Sequence, residues 1–161
     1  MRKYADCPGV VREFLSYHET IKAQSPRTIE EYHLDLRMFL RFMKLMRTGQ
    51  SLSVPFEEVD ILDIDLDFVG SITTSDVYEF LSWLANDRTA DPDAPVSQRG
   101  IEAAARARKL SALKSFYKYL TVRTKQLQEN PVADLEYPKL RRSLPRYLTL
   151  EQSAALLNAV S

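Results

Sequence analysis

The side chains best placed for chemistry lie in the C-terminal half. Arg108, Ser111, Ser115 and Lys118 stand at offsets of 0, 3, 7 and 10, a single stripe at about 100° per residue, and Lys114 lies beside it. Val122 takes the next place and ends the polar run, and no carboxylate interrupts the segment between Glu102 and Glu129. Small hydroxyls let a helix backbone come close to a polyanion, while flanking arginine and lysine reach phosphates or guanine edges. The competing view is an ordinary solvated helix face, although such faces usually intersperse glutamate with lysine. Arg27 and Thr28 form a second candidate. They fall in the first turn of another helix, where open backbone N–H groups and the helix dipole attract an anion. The plainer alternative is that Thr28 only helps to cap that helix.

Other chemistries are poorly served. Four glycines leave no phosphate-cradling loop, and no nucleophile–base pair or metal-ligand cluster stands at a recognisable spacing. Cys7 is the single cysteine, which excludes a disulfide framework or a cysteine-based zinc site within the chain. Asp63, Asp65 and Asp67 suggest a calcium loop, but Phe68 occupies the sixth position, where glycine is needed, and Thr74 the twelfth, where glutamate is needed. No cofactor and no metal are expected.

Four helical segments must position these groups. The first runs from about Pro8 to Ala23, with Val11, Phe14, Leu15, His18 and Ile21 at helical spacing. The second opens at Ser25 as N-cap with Pro26 in the first turn. It carries Ile29, Tyr32, Leu36, Phe39, Leu40 and Met43 on one face and fades near Thr48-Gly49. Tyr32 is read as a core residue whose hydroxyl reaches the backbone. Residues 49–72 form a long connection in which Ile64, Leu66 and Phe68 alternate with aspartates, predicting a short extended piece. Thr73 and Asp76 make a capping box for a third helix that continues to about Arg88. Asp91 to Pro95 reads as a loop, and the fourth helix spans about Gly100 to Thr124. Its other face holds Leu110, Leu113, Phe116, Tyr117 and Leu120. A further capping box at Thr149 and Gln152 starts one more helix near the end of the chain.

Charge is segregated along this order. Residues 1–56 carry nine basic and six acidic side chains, 57–98 one and eleven, and 99–146 twelve and four, within a net charge of zero. One small domain with an acidic side and a basic side presents a surface suited to a polyanion. No apolar run approaches the roughly 18 residues of a membrane span. The segment Met1-Arg2-Lys3-Tyr4-Ala5-Asp6 lacks the apolar stretch of a secretory signal, so a cytoplasmic location is expected.

The motifs resemble those of a known family. Ser25-Pro26-Arg27-Thr28-Ile29-Glu30-Glu31-Tyr32, followed by Asp35-Leu36 and Phe39, resembles the T-x-x-x-Y-x-x-D-L-x-x-F opening of the core-binding domain of tyrosine recombinases. Ala107 to Leu120 is similar to the last long helix of that domain. Asn130-Pro131, Pro138-Lys139-Leu140, Leu144-Pro145 and Leu148-Thr149 follow in the order of the linker in Xer-type integrases.

The resemblance implies an all-α, four- to five-helix orthogonal bundle of the SAM-like type, forming one half of a clamp around duplex DNA. Its second and fourth helices would face the major groove. It implies DNA contacts at Thr28, Arg108, Ser111, Lys114 and Ser115 and, in the basic linker, at Lys139 and Arg141, with Arg27, His33 and Lys118 as neighbours on the same faces. It divides the chain into a core-binding domain at 1–136, a linker at 137–147 and the first helix of a catalytic domain at 148–161. The family's H-x-x-R motif is absent, since His18 is followed by Glu-Thr-Ile and His33 by Leu-Asp-Leu. The chain is therefore expected to grip double-stranded DNA as a monomer without cutting it, with other recombinase protomers as partners of the parent. The alternative is a non-enzymatic protein-interaction bundle that docks through its acidic 57–98 surface.

Overall fold

The structure, a computed structural model, describes residues 4–49, 55–86 and 103–138. Among these, five α-helices carry the fold, and the described residues contain no strand: α1 (Gly9–Thr20), α2 (Pro26–Thr48), α3 (Leu66–Gly70), α4 (Thr74–Asn86) and α5 (Ala103–Lys118). A 3₁₀ turn at Phe56–Glu58 precedes α3, and a single π-helical turn, Tyr119–Arg123, extends α5. The all-α class expected from the sequence is observed.

Local chemistry explains most boundaries. Ser25 Oγ accepts the Thr28 N–H at 3.2 Å and Pro26 takes the first helical position of α2. Gly49 ends that helix at φ 62°, a left-handed conformation that a side chain would strain. The Thr73–Asp76 box forms in both directions: the Thr73 N–H donates to Asp76 Oδ2 at 2.9 Å, and the Asp76 N–H to Thr73 Oγ1 at 3.2 Å.

Two expectations are corrected. α1 stops at Thr20, so Ile21 lies beyond its buried face and is exposed. The extended piece expected around Ile64–Phe68 is instead the capped turn α3. Asp65 accepts the Phe68 N–H at 2.9 Å, and this side-chain cap turns an alternating pattern into a helix start. The loop at 91–95, the helix from Thr149 and nearly all of the 137–147 linker lie outside the described residues.

α2 is the central strut and packs against α1, α4 and α5, while α4 also meets α5. The core is aromatic. Phe14 meets Phe116 edge-on at 5.4 Å between centroids, and Phe39 meets Phe80 at 5.1 Å. Leu110, Leu113, Phe116, Tyr117 and Leu120, the apolar side predicted for the last helix, are all buried. The Tyr117 hydroxyl donates to the Val69 carbonyl at 2.9 Å, tying α5 to α3, and burial pushes its ionisation far up, so the phenol remains a donor. No helix among the described residues is long and apolar enough to cross a membrane.

Candidate nucleic-acid interface

α2 and α5 run antiparallel along their contact. Asp35 on α2 bonds Lys109 and Arg108 near the start of α5, and one turn earlier the Tyr32 hydroxyl lies 3.3 Å from Ser115 Oγ, two turns further along α5. The N-terminal end of α2 is thereby set beside the C-terminal end of α5. There a cavity of about 450 Å³ opens between α1, α2 and α5, lined by Tyr17, His18, Tyr32 and Tyr119 together with Lys22, Gln24, Ser115, Lys118, Val122 and Arg123. Among the described residues, three cations and no carboxylate line it.

The aromatic floor and the cations are mutually arranged. Arg123 lies over the Tyr17 ring at 5.3 Å, and Tyr17 and Tyr119 are 5.1 Å apart between centroids. His18 Nδ1 is 2.7 Å from Gln24 Oε1. Burial lowers the His18 pKa below its usual 6.5, more than the Gln24 bond raises it, and Lys22 lowers it further. The imidazole is thus held neutral, and the cationic character of the cavity rests on Lys22, Lys118 and Arg123.

Lys22 and Arg123 are absent from the sequence-based set. A uniform wheel assigns Val122 to the end of the α5 stripe. In the structure the Thr124 N–H bonds the Tyr119 carbonyl five residues back at 2.9 Å, and this wider turn slows the rotation of the chain. It carries Arg123 round to the same cavity as Lys118. Nothing in the periodicity of the sequence signals a π turn. Lys22 lies past the end of α1 and reaches the cavity only because α1 and α2 fold back on one another.

The other end of the stripe is built differently. Arg108 remains about half exposed but its Nη2 is 3.5 Å from Asp35 Oδ1. Lys109 is only 6% exposed, and its Nζ bonds the same oxygen of Asp35 at 2.7 Å. Asp35 is itself 2% exposed, and its Oδ2 has no hydrogen-bond partner among the described residues. At about 1.5 Å per residue, Arg108 and Lys118 are roughly 15 Å apart along α5. The α5 stripe and α2 therefore meet through Tyr32 and Ser115 toward the Lys118 end, and Arg108 lies away from that contact.

The remaining candidates fall as follows. Arg27 is 90% exposed and pairs with Glu31 at 3.5 Å. Thr28 stands one turn before Tyr32, its hydroxyl 2.9 Å from Ser25 Oγ. Its N–H is spent on Ser25 Oγ and that of Ile29 on the Ser25 carbonyl, while Pro26 has none, so little of the first turn's donor set is left for an anion. Ser111 and Lys114 both touch Tyr137: Ser111 Oγ donates to its hydroxyl at 3.3 Å, and Lys114 Nζ lies 5.0 Å from its ring centroid. Lys139 and Arg141 lie outside the described residues.

His33 departs from the expected surface. It is 9% exposed, with Nε2 3.0 Å from Asp6 Oδ1 and its ring 4.9 Å from that of Tyr4. Position 33 flanks the buried stripe of α2, and the N-terminal segment closes over it. Tyr32 likewise turns its hydroxyl to Ser115 and not to the backbone.

Asp6, Cys7 and His33 bring a carboxylate, a thiol and an imidazole within 4.8 Å of one another. Their surroundings suit a structural latch and not a cation. Arg37 bonds Asp6 Oδ2 at 2.5 Å, and Arg12, Arg37 and Arg41 all act on Cys7, whose thiol is pushed up to about 12 by burial. Burial alone would raise the Asp6 carboxyl, but hydrogen bonds from Arg37 and His33 hold it below the usual range.

Comparison with known proteins accords with this geometry. Residues 11–126 match the family described as phage integrase, N-terminal SAM-like domain. The chain is 43% identical over 153 residues to a tyrosine recombinase XerC from Caldanaerobacter subterraneus subsp. tengcongensis, an alignment covering 95% of this chain and 40% of the relative. A XerC from Myxococcus xanthus is 31% identical over 149 residues, covering 92% and 39%. A XerD from Chlorobaculum tepidum is 32% identical over 115 residues, covering 63% and 37%. The chain thus spans well under half the length of these relatives, and no solved structure matches it. Because the family match takes in every helix that builds the cavity, the chain belongs to the phage integrase N-terminal SAM-like domain family.

Proposed function

We propose that this chain grips duplex DNA in site-specific recombination and integration, as the core-binding half of a tyrosine recombinase, and carries no strand-cleavage chemistry of its own. The observation that carries this reading is the cavity where the ends of α1, α2 and α5 meet, with Lys22, Lys118 and Arg123 and, among the described residues, no acidic side chain in its lining. Each lysine or arginine placed against a phosphate releases a condensed counterion. Ser115, with Ser111 and Thr28 further out, offers small hydroxyls to the backbone or bases, and Arg27, Lys114 and Arg108 extend the cationic line. Lys139 and Arg141 would continue it into a linker over 137–147, with 1–136 as the DNA-gripping domain and 148–161 opening the domain that cuts. Other protomers of the recombinase would share the same DNA.

The acidic docking alternative loses support from the local use of its carboxylates. Asp65 caps α3, Asp76 caps α4, Asp60 accepts the Leu62 N–H and Asp63 pairs with Lys44. Fluorescence anisotropy of a labelled duplex, titrated with the 161-residue chain at low and high salt, tests the proposal. Binding in the low-micromolar range or weaker is expected, with log K falling linearly with log salt. A salt-independent signal, or none at low salt, overturns it.

A further inference from the structure

Tyr137 sits across the middle of the surface assigned above to DNA. It is 51% exposed, yet its hydroxyl accepts from Ser111 Oγ at 3.3 Å and its ring lies 5.0 Å from Lys114 Nζ. Ser111 belongs to the α5 stripe and Lys114 lies beside it. The ring stands between the cavity at Ser115 and Lys118 and the Asp35-bound Arg108. The chain just before it is anchored, because Val132 and Leu135 are buried in the core, whereas Glu136 is exposed. Tyr137 can therefore swing about Glu136 without unpacking any helix.

The contacts holding Tyr137 are of the kind a phosphate displaces. An exposed cation–π contact and one long neutral hydrogen bond together favour the docked ring by about three- to tenfold. A phosphate offers Lys114 and Ser111 charge-assisted bonds, which are roughly twice as strong as neutral ones. Two occupants compete for one ammonium and one hydroxyl.

We propose that Tyr137 is a displaceable strap: in the DNA-free chain it covers Lys114 and Ser111, and a DNA phosphate takes its place. This rests on the DNA-binding function proposed above and adds to it an autoinhibitory contact that DNA must displace. Docking of the domain and release of the strap become one event, with the ring's docking energy subtracted from the affinity.

The test uses the 161-residue chain with Tyr137→Ala and Tyr137→Phe, titrated against duplex at low salt. Tyr137→Ala should tighten binding by about three- to tenfold, and Tyr137→Phe by less, since it keeps the ring over Lys114. Thermal melting should fall by about 2–4 °C in Tyr137→Ala, which loses the docking free energy, and by less in Tyr137→Phe. In 3-fluorotyrosine-labelled protein, the resonance lost in Tyr137→Phe identifies Tyr137. Adding duplex should move it toward its position in the DNA-free Ser111→Ala, Lys114→Gln double variant. Weaker binding by Tyr137→Ala would make Tyr137 a DNA contact and overturn the strap, as would unchanged affinity. If the unsubstituted chain binds no duplex, the DNA-binding function itself fails; if it binds and Tyr137→Ala gains nothing, only the strap fails.

Discussion

At the C-terminal end of α2, Lys44 and Arg47 are enclosed by acceptors. Lys44 bonds the Asp60 carbonyl and Asp63, and Arg47 reaches the hydroxyl and carbonyl of Ser71 and Asp76 Oδ2 at 3.0 Å. At the N-terminal end, Lys22, Lys118 and Arg123 surround a cavity with no carboxylate in its lining among the described residues. The same residue types do opposite work at the two ends. Where the chain supplies acids from 60–76, cations clamp α2 to the connection and to α4. Where it withholds them, the cations face solvent and keep their charge for a polyanion. Between the two ends Asp35 bonds Lys109 and Arg108, a buried pair that fixes how α5 lies on α2.

The largest effect should come from that middle point. Asp35→Ala leaves Lys109 buried without a counterion, and urea unfolding should show a loss of about 3–5 kcal/mol. Adding Lys109→Met should recover much of it, because the cost lies mainly in the stranded charge. A full loss persisting in the double variant would remove the pair from its place in the comparison.

Next, replacing Lys22, Lys118 and Arg123 together with glutamine should weaken duplex binding at least tenfold at about 50 mM salt. It should also reduce the slope of log K against log salt by about two to three. The matched change of Lys44 and Arg47 to glutamine should leave the slope unaltered. Equal losses from both ends would break the contrast.

Conversely, Arg47→Ala should cost about 1 kcal/mol or less in thermal or urea unfolding, since its pair with Asp76 is partly exposed and screened. DNA affinity should not change.

The smallest effect is in pH. Burial lowers the His18 pKa, so the fold takes up its proton less readily than the unfolded chain. The stability it contributes is present above the unfolded value of about 6.5 and is lost as pH falls from there through the lower folded pKa. Melting temperatures measured between pH 7 and pH 5 should decline, and His18→Gln should flatten the decline. A decline of undiminished size in His18→Gln would remove His18 as its cause, and Asp6 and Asp76, whose carboxyls are held low, would act only at more acid pH.

Elements governed by neighbours in sequence were legible. The Ser25 cap, the Gly49 stop, the Thr73–Asp76 box and the buried side of α5 all follow from spacing, because caps and helix faces involve residues within one or two turns. Three features escaped, two through contacts between distant segments and one through a local departure from the regular helix. His33 is covered by a segment 27 residues away, Arg123 depends on a π turn that a uniform wheel does not contain, and Lys22 joins the cavity only through the fold-back of α1 on α2.

By itself the sequence determined the all-α class, the capped start of α2 and the existence of an acid-free polar stripe on α5, because each depends on short-range periodicity and local hydrogen bonding. The tertiary structure alone decided which cations stay available. It spent Lys44, Arg47 and Lys109 on carboxylates brought from elsewhere in the chain and left Lys22, Lys118 and Arg123 around one cavity. A charge is available to a ligand only if folding brings no opposite charge within reach, and that depends on distances in space, which spacing along the chain does not set.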